Sequence, residues 1–151
     1  VAMSQSHHPL KHVRTSVSTI YVPRDIVWTY LGQFENLNKW WNLLQFSDET
    51  ALPVSGRKYE AAVNRPAGEG GPFLVNVLIE EFDPKNKITF RLPMPDVGYV
   101  FILEDSPPGC RVRASYYSNS NSFIARASHW LHWDPSLPWS PLSKLRRLVR
   151  G

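Results

Sequence analysis

Cysteine is nearly absent from this chain: Cys110 is the only one in 151 residues. An intramolecular disulfide is therefore excluded, and so is a structural zinc site built from several thiolates. No motif around Cys110 supplies the base and orienting group that a thiol nucleophile needs, so it reads as a small buried hydrophobe or a turn residue. No run of 18 apolar residues occurs, which excludes a membrane-spanning helix. The first nine residues are polar and lack the apolar stretch of a secretory signal, so a cytoplasmic location is the default expectation. There is no phosphate loop, no dinucleotide fingerprint and no HExxH. Gly68-Glu-Gly-Gly71 is rich in glycine but fits no phosphate motif, and reads as a flexible loop.

What the chain does have is apolar and aromatic surface. Apolar residues make up 42% and aromatics 13%, with six Trp, six Tyr and seven Phe, enough for a real core. The length fits one domain. The net charge is +4, and much of the excess sits in Lys144, Arg146, Arg147 and Arg150. A cluster this small reads as a solvated face rather than a nucleic-acid site. With Trp130, Trp133 and Trp139 just before it, weak contact with a membrane surface is the alternative role.

Residues 1–11, with His7 and His8, read as a loose tail ahead of a single domain over residues 12–151. Residues 12–21 are rich in β-branched and aromatic side chains and read as a strand. Pro23 and Asp25 suit a helix start, and Ile26, Val27, Tyr30, Leu31 and Phe34 recur at helical spacing, predicting a helix over 23–34. Leu37, Trp40, Trp41 and Leu44 predict a second short helix over 36–44. Period-two patterns follow. They predict strands over 46–52, 58–64, 73–82, 87–92, 97–104 and 111–117, separated by turns at 53–56 and 83–86, by loops at 65–72 and 93–96, and by the hairpin Asp105-Ser-Pro-Pro-Gly109. Phe123 to Trp133 has a helical pattern that Asp134-Pro135 should stop. Ser140 as N-cap and Pro141 then open a helix to Arg150, with Leu142, Leu145, Leu148 and Val149 as its apolar stripe. Sequential hairpins exclude a parallel sheet. The fold class is α+β.

This order, with particular residues, resembles the helix-grip superfamily: the START-like, Bet v 1-like and polyketide cyclase/dehydrase proteins often called SRPBCC. The carrying segments are Ile20-Tyr-Val-Pro-Arg-Asp-Ile-Val-Trp28, Asn36-Leu-Asn-Lys-Trp-Trp41, Gly56, Glu81-Phe-Asp-Pro84 with Ile88-Thr-Phe-Arg91, and Leu103-Glu-Asp105 with Gly109-Cys-Arg-Val112. The likeness runs over residues 12–120. It implies a curved antiparallel sheet of about seven strands, two short helices after the first strand, and a C-terminal helical segment lying in the sheet's grip. The chain departs from the family where Pro135, Pro138 and Pro141 interrupt the final helix, and where Val22 stands in place of a common alanine.

The resemblance also implies a cavity for an apolar ligand such as a lipid or polyketide, with no cofactor. No catalytic residue is shared across the family, so none carries over. The inward faces nominate Phe73, Val75, Val77, Phe90, Leu92, Tyr99, Phe101, Val112, Ala114 and Tyr116 as lining residues, joined by His129 and Trp130 from the last segment. The competing reading is that these side chains fill a solid core. Tyr99 and Tyr116 could each offer a hydroxyl to a ligand oxygen, or reach solvent at the sheet edge. His129 and His132 share a helical face, but two histidines are half a metal site at best, so no metal is expected. Three functions follow: a carrier or sensor of an apolar small molecule, a cofactor-free cyclase or dehydratase using the same pocket, and an interaction protein using its basic end.

Overall fold

A computed structural model describes residues 11–41, 43–63, 73–93, 96–118 and 141–150. The elements, in chain order, are β1 (Lys11–Ile20), α1 (Arg24–Leu31), α2 (Phe34–Trp40), β2 (Leu44–Phe46), β3 (Lys58–Val63), β4 (Phe73–Asp83), β5 (Lys87–Pro93), β6 (Asp96–Ser106), β7 (Gly109–Ser118) and α3 (Pro141–Arg150). The seven strands form one antiparallel sheet in the order β1-β7-β6-β5-β4-β3-β2. Strands β2 to β7 are consecutive neighbours, and β1 closes the sheet against β7. The sheet curls into a half-barrel, with the helices and the core on its concave side. This is the helix-grip fold that the resemblance implies.

The two short helices differ from their expected bounds for local reasons. Pro23 is the N-cap of α1, one residue before the first helical turn, and its carbonyl accepts from the backbone N–H of Ile26 and Val27. Gly32 ends α1, so Phe34 opens the second helix instead of closing the first. Helix α2 stops at Trp40, not at residue 44, because Leu44 is drawn into the sheet opposite Val63. Asn38 secures that switch. Its side-chain carbonyl accepts from Phe46 N at 2.8 Å while its amide donates to Phe46 O at 3.1 Å. The strand expected over 46–52 is thus only Leu44–Phe46. Beyond it, Asp48 Oδ1 accepts from Thr50 N and turns the chain away from the sheet.

The strands from β3 on agree with their alternation. Ala61, Val63, Val77, Ile79, Ile88, Phe90, Leu92, Val97, Tyr99, Phe101 and Leu103 are all buried. One irregularity resets a face: between Ile79 and Glu81 the pairing with β5 shifts by a residue, so Phe82 follows Ile79 on the inner side. Such a bulge bends its strand and raises the local twist. The outer face of β7, with Arg111 and Arg113, is not uniformly open: Ser115 is buried there, its hydroxyl 2.9 Å from that of Thr15. In β1, which begins at Lys11, the side chains of Ser16, Ser18 and Ile20 turn inward while Val17 faces out.

Arg24 ties the helix layer to the sheet. Its guanidinium pairs with Asp105 at 3.0 Å and donates to Asn86 Oδ1 and to Lys85 O, joining the start of α1 to two hairpin tips. Helix α3 packs on β1, α1 and α2. Its Leu142 and Leu145 are fully buried, and Leu148 and Val149 partly, as the apolar stripe predicts. The tail over residues 1–10, Ser140 and the helical pattern over Phe123–Trp133 lie outside the described residues.

Gly109 sits where the β6–β7 hairpin passes under the end of β1: a Cβ there would lie 2.2 Å from Ile20 O and 2.7 Å from Tyr21 Cα. Both are backbone atoms and cannot swing aside. Gly56 has room around it but a φ of 85°. Gly56→Ala is therefore expected to cost roughly 1 kcal/mol, for left-handed backbone alone. Gly109→Ala is expected to cost about 2–3 kcal/mol, as an overpacked site. Thermal melts of the two variants, with the larger drop for Gly109→Ala, check this.

Candidate functional site

The concave face is built from alternate residues of β4 to β7, and the register sets them in rows. Tyr116 pairs with Tyr99, and Tyr99 with Phe90, which in turn pairs with Ile79. The next row is Ala114, Phe101 and Ile88. Val112 pairs with Leu103 on one flank, and Leu92 with Val97 on the other. Val77 and Val75 continue the surface opposite Tyr59 and Ala61. Nine of the nominated residues thus share one wall: Val75 is partly buried and the other eight are buried. Phe73 is placed by its backbone, opposite Val63 in β3. His129 and Trp130 lie outside the described residues.

Trp41 crosses this wall. Its ring lies 5.0 Å from Phe90, 5.4 Å from Tyr99 and 5.1 Å from Phe101, the last two edge to face. Trp40 meets Phe101 edge to face at 5.8 Å, and its indole N–H donates to the Tyr30 carbonyl at 2.8 Å. The Trp pair was legible in sequence only as the buried side of a short helix. The signal in sequence is the doublet at the end of that helix: Trp41 follows the last residue of α2, and both rings are buried against Phe101.

The wall is apolar with a few polar atoms set into it. Tyr99 and Tyr116 stack at 5.2 Å, which places two phenol rings side by side within the core, not at a solvent-facing edge. Burial, and then the neighbouring Tyr116, hold the Tyr99 hydroxyl well above its ordinary pKa of 10.0, so it stays protonated and able to donate. The inward hydroxyls of Ser16 and Ser18 stand opposite Ala114 and Val112. Sequence reasoning missed both serines, because β1 was read by strand propensity and not by which face its small residues take.

Cys110 is buried beside Ile20, and burial pushes its thiol up, with Arg24 lowering it and Asp105 raising it in lesser measure. A protonated thiol is a poor nucleophile, in keeping with a packing role. Among the described residues no three His, Cys, Asp or Glu side chains gather as a metal site. Nor is any helix among them long and apolar enough to cross a membrane.

No family model matches the chain, and no curated protein does. Solved structures do match. Protein NE0264 from Nitrosomonas europaea superposes with a TM-score of 0.69 at 17% identity, over 91% of this chain and 93% of that one. An AHSA1-like protein from Aeromonas hydrophila gives 0.62 at 12% identity, over 91% and 92%. DynU16, from the dynemicin biosynthetic locus, gives 0.65 at 16% identity, over 95% of this chain and 48% of that one. At these identities the likeness shows the fold.

The Tyr99 hydroxyl makes a pH dependence that can be signed. Its folded pKa lies above the unfolded one, so the stability it carries is complete below about pH 10 and falls as pH rises toward the folded value. Between pH 8 and pH 11, wild type should lose more unfolding free energy than Tyr99→Phe. Urea titrations of both proteins at the two pH values measure it; equal losses would remove Tyr99 as the responsible group.

Proposed function

We propose that this protein is a member of the SRPBCC superfamily that binds a small, mostly apolar molecule against the concave face of its sheet, as a carrier or sensor in the cytoplasm. The observation that carries the reading is the composition of the wall. Phe90, Phe101, Tyr99 and Tyr116 form a nearly continuous aromatic surface, into which the protein sets a few hydroxyls. An apolar surface with sparse polar groups is how a small-molecule site combines affinity with orientation. Helix-grip neighbours of known structure support it, since the fold commonly holds hydrophobic ligands.

A second reading, a cofactor-free cyclase or dehydratase, draws on the same wall and on the neighbour from a biosynthetic locus. Tyr99, held protonated, would act as a hydrogen-bond donor or acid to a ligand oxygen and not as a base. A third reading rests on α3. Lys144, Arg146 and Arg147 have no ion-pair partner among the described residues, as is true of Lys39, Arg57 and Lys58, but the first three stand together on one short helix. Cations left free can meet an anionic lipid surface, at about 1 kcal/mol each.

Native mass spectrometry of the purified protein tests the first reading: the expected result is an added mass of a few hundred daltons that is lost on denaturation (roughly the size that fills such a site). Replacing both Tyr99 and Tyr116 by Phe separates carrier from enzyme. A carrier keeps its affinity within a few-fold, while an enzyme keeps binding and loses turnover. Neutralising Lys144, Arg146 and Arg147 together should reduce sedimentation with phosphatidylserine vesicles if α3 faces a membrane; unchanged sedimentation removes that role.

A further inference from the structure

We propose that the bound molecule is uncharged, flat and aromatic, carries a bare acceptor oxygen such as a ketone, and receives a hydrogen bond from the indole N–H of Trp41. This rests on the reading that the concave face is a ligand site, and narrows what that site takes.

Two neighbouring tryptophans make the contrast. Both are fully buried. Trp40 gives its N–H to the Tyr30 carbonyl, whereas the Trp41 N–H meets no acceptor among the described residues. An indole nitrogen can only donate. A buried donor left unmade costs roughly 1–3 kcal/mol, so buried N–H groups nearly always find an acceptor. The rings that Trp41 meets are those of Trp40, Phe90, Tyr99 and Phe101, and an N–H against a ring face is a weak substitute for a carbonyl acceptor. A ligand oxygen would complete the bond.

The neighbours set the rest of the ligand's chemistry. Three rings stand 5.0–5.4 Å from Trp41, so a body that brings an oxygen to its N–H is surrounded by aromatic carbon, to which a flat aromatic shape is matched. None of the described side chains of β4 to β7 that are buried on this face is charged. A carboxylate would therefore enter an apolar wall with no counter-ion there, and an unpaired buried charge is far more costly than a carbonyl. The Ser18 hydroxyl, also buried and without a partner among the described residues, faces the same side from β1. It can donate or accept, so a second oxygen on the ligand is accommodated.

The test uses three probes of one shape: 9-fluorenone, fluorene and fluorene-9-carboxylate. Two proteins are compared, wild type and a variant with 3-benzothienylalanine at position 41, which keeps the ring shape and lacks the N–H. Trp41→Phe assigns the indole resonance in spectra of protein labelled with ¹⁵N-tryptophan. The expected result is that fluorenone binds wild type about tenfold tighter than fluorene, the worth of one hydrogen bond. It should also move the Trp41 N–H resonance downfield, while the carboxylate binds more weakly than either. At position 41 the benzothienyl ring should erase the preference for fluorenone and leave fluorene binding within about twofold. Equal binding of fluorenone and fluorene to wild type, with the Trp41 resonance unmoved, overturns the assignment to Trp41 but keeps the ligand site. Carboxylate binding as tight as that of the ketone overturns the uncharged class. Absence of binding by all three overturns both this inference and the aromatic-wall reading beneath it.

Discussion

The interior depends on the contact between the Trp40–Trp41 pair and the rings of β5 and β6. Trp41 touches Phe90, Tyr99 and Phe101, and Trp40 adds a second edge-to-face contact on Phe101. Each such pair is worth about 0.5–1.5 kcal/mol beyond the area it buries. Together they fix where the helix layer sits across the sheet. The Trp40 hydrogen bond to Tyr30 then carries that position from α2 back to α1. The same two rings that hold the helices down thus cover the middle of the wall.

The remaining ties are at the ends. Arg24 clamps the start of α1 to the β4–β5 and β6–β7 hairpins, and Gly109 allows the second of these to close under β1. Most of this clamp is at the surface, so its ion pair is worth little alone. Its value is geometric: one guanidinium with three partners defines an angle between two layers. The bulge at Ile79–Glu81 and the Asn38 clamp on Phe46 act on the opposite side, where β4 bends and the chain leaves α2 for β2.

The rings of the wall bury the apolar surface that holds the core together, and a few polar atoms are set among them. The Trp41 N–H and the Ser18 hydroxyl are buried without partners among the described residues, and Tyr99 holds a hydroxyl that burial keeps protonated. A core selected for stability alone would place apolar groups at such positions. Two of the departures from that rule, Trp41 and Ser18, are on the concave face, and the Thr89 hydroxyl, buried and likewise without a partner among the described residues, is on the other.

The chain's own pattern determined the element order, the hairpins, the α+β class and the inner faces of β3 to β7, because a period of two in side-chain direction is a local property of extended backbone. It determined the apolar stripe of α3 for the same reason at a period of 3.6 residues. It also put nine of the lining candidates on one surface. What only the tertiary structure decided was non-local. Leu44 leaves the helix because Val63 pairs with it across nearly twenty residues. The face of β1 is chosen by pairing with β7, a hundred residues away, so small serines turn inward and Val17 outward against their propensities. Trp41 becomes part of the concave wall because three rings from two distant strands converge on it. No window of sequence contains those three rings and that indole together, since chain order is preserved along a strand but lost across a sheet.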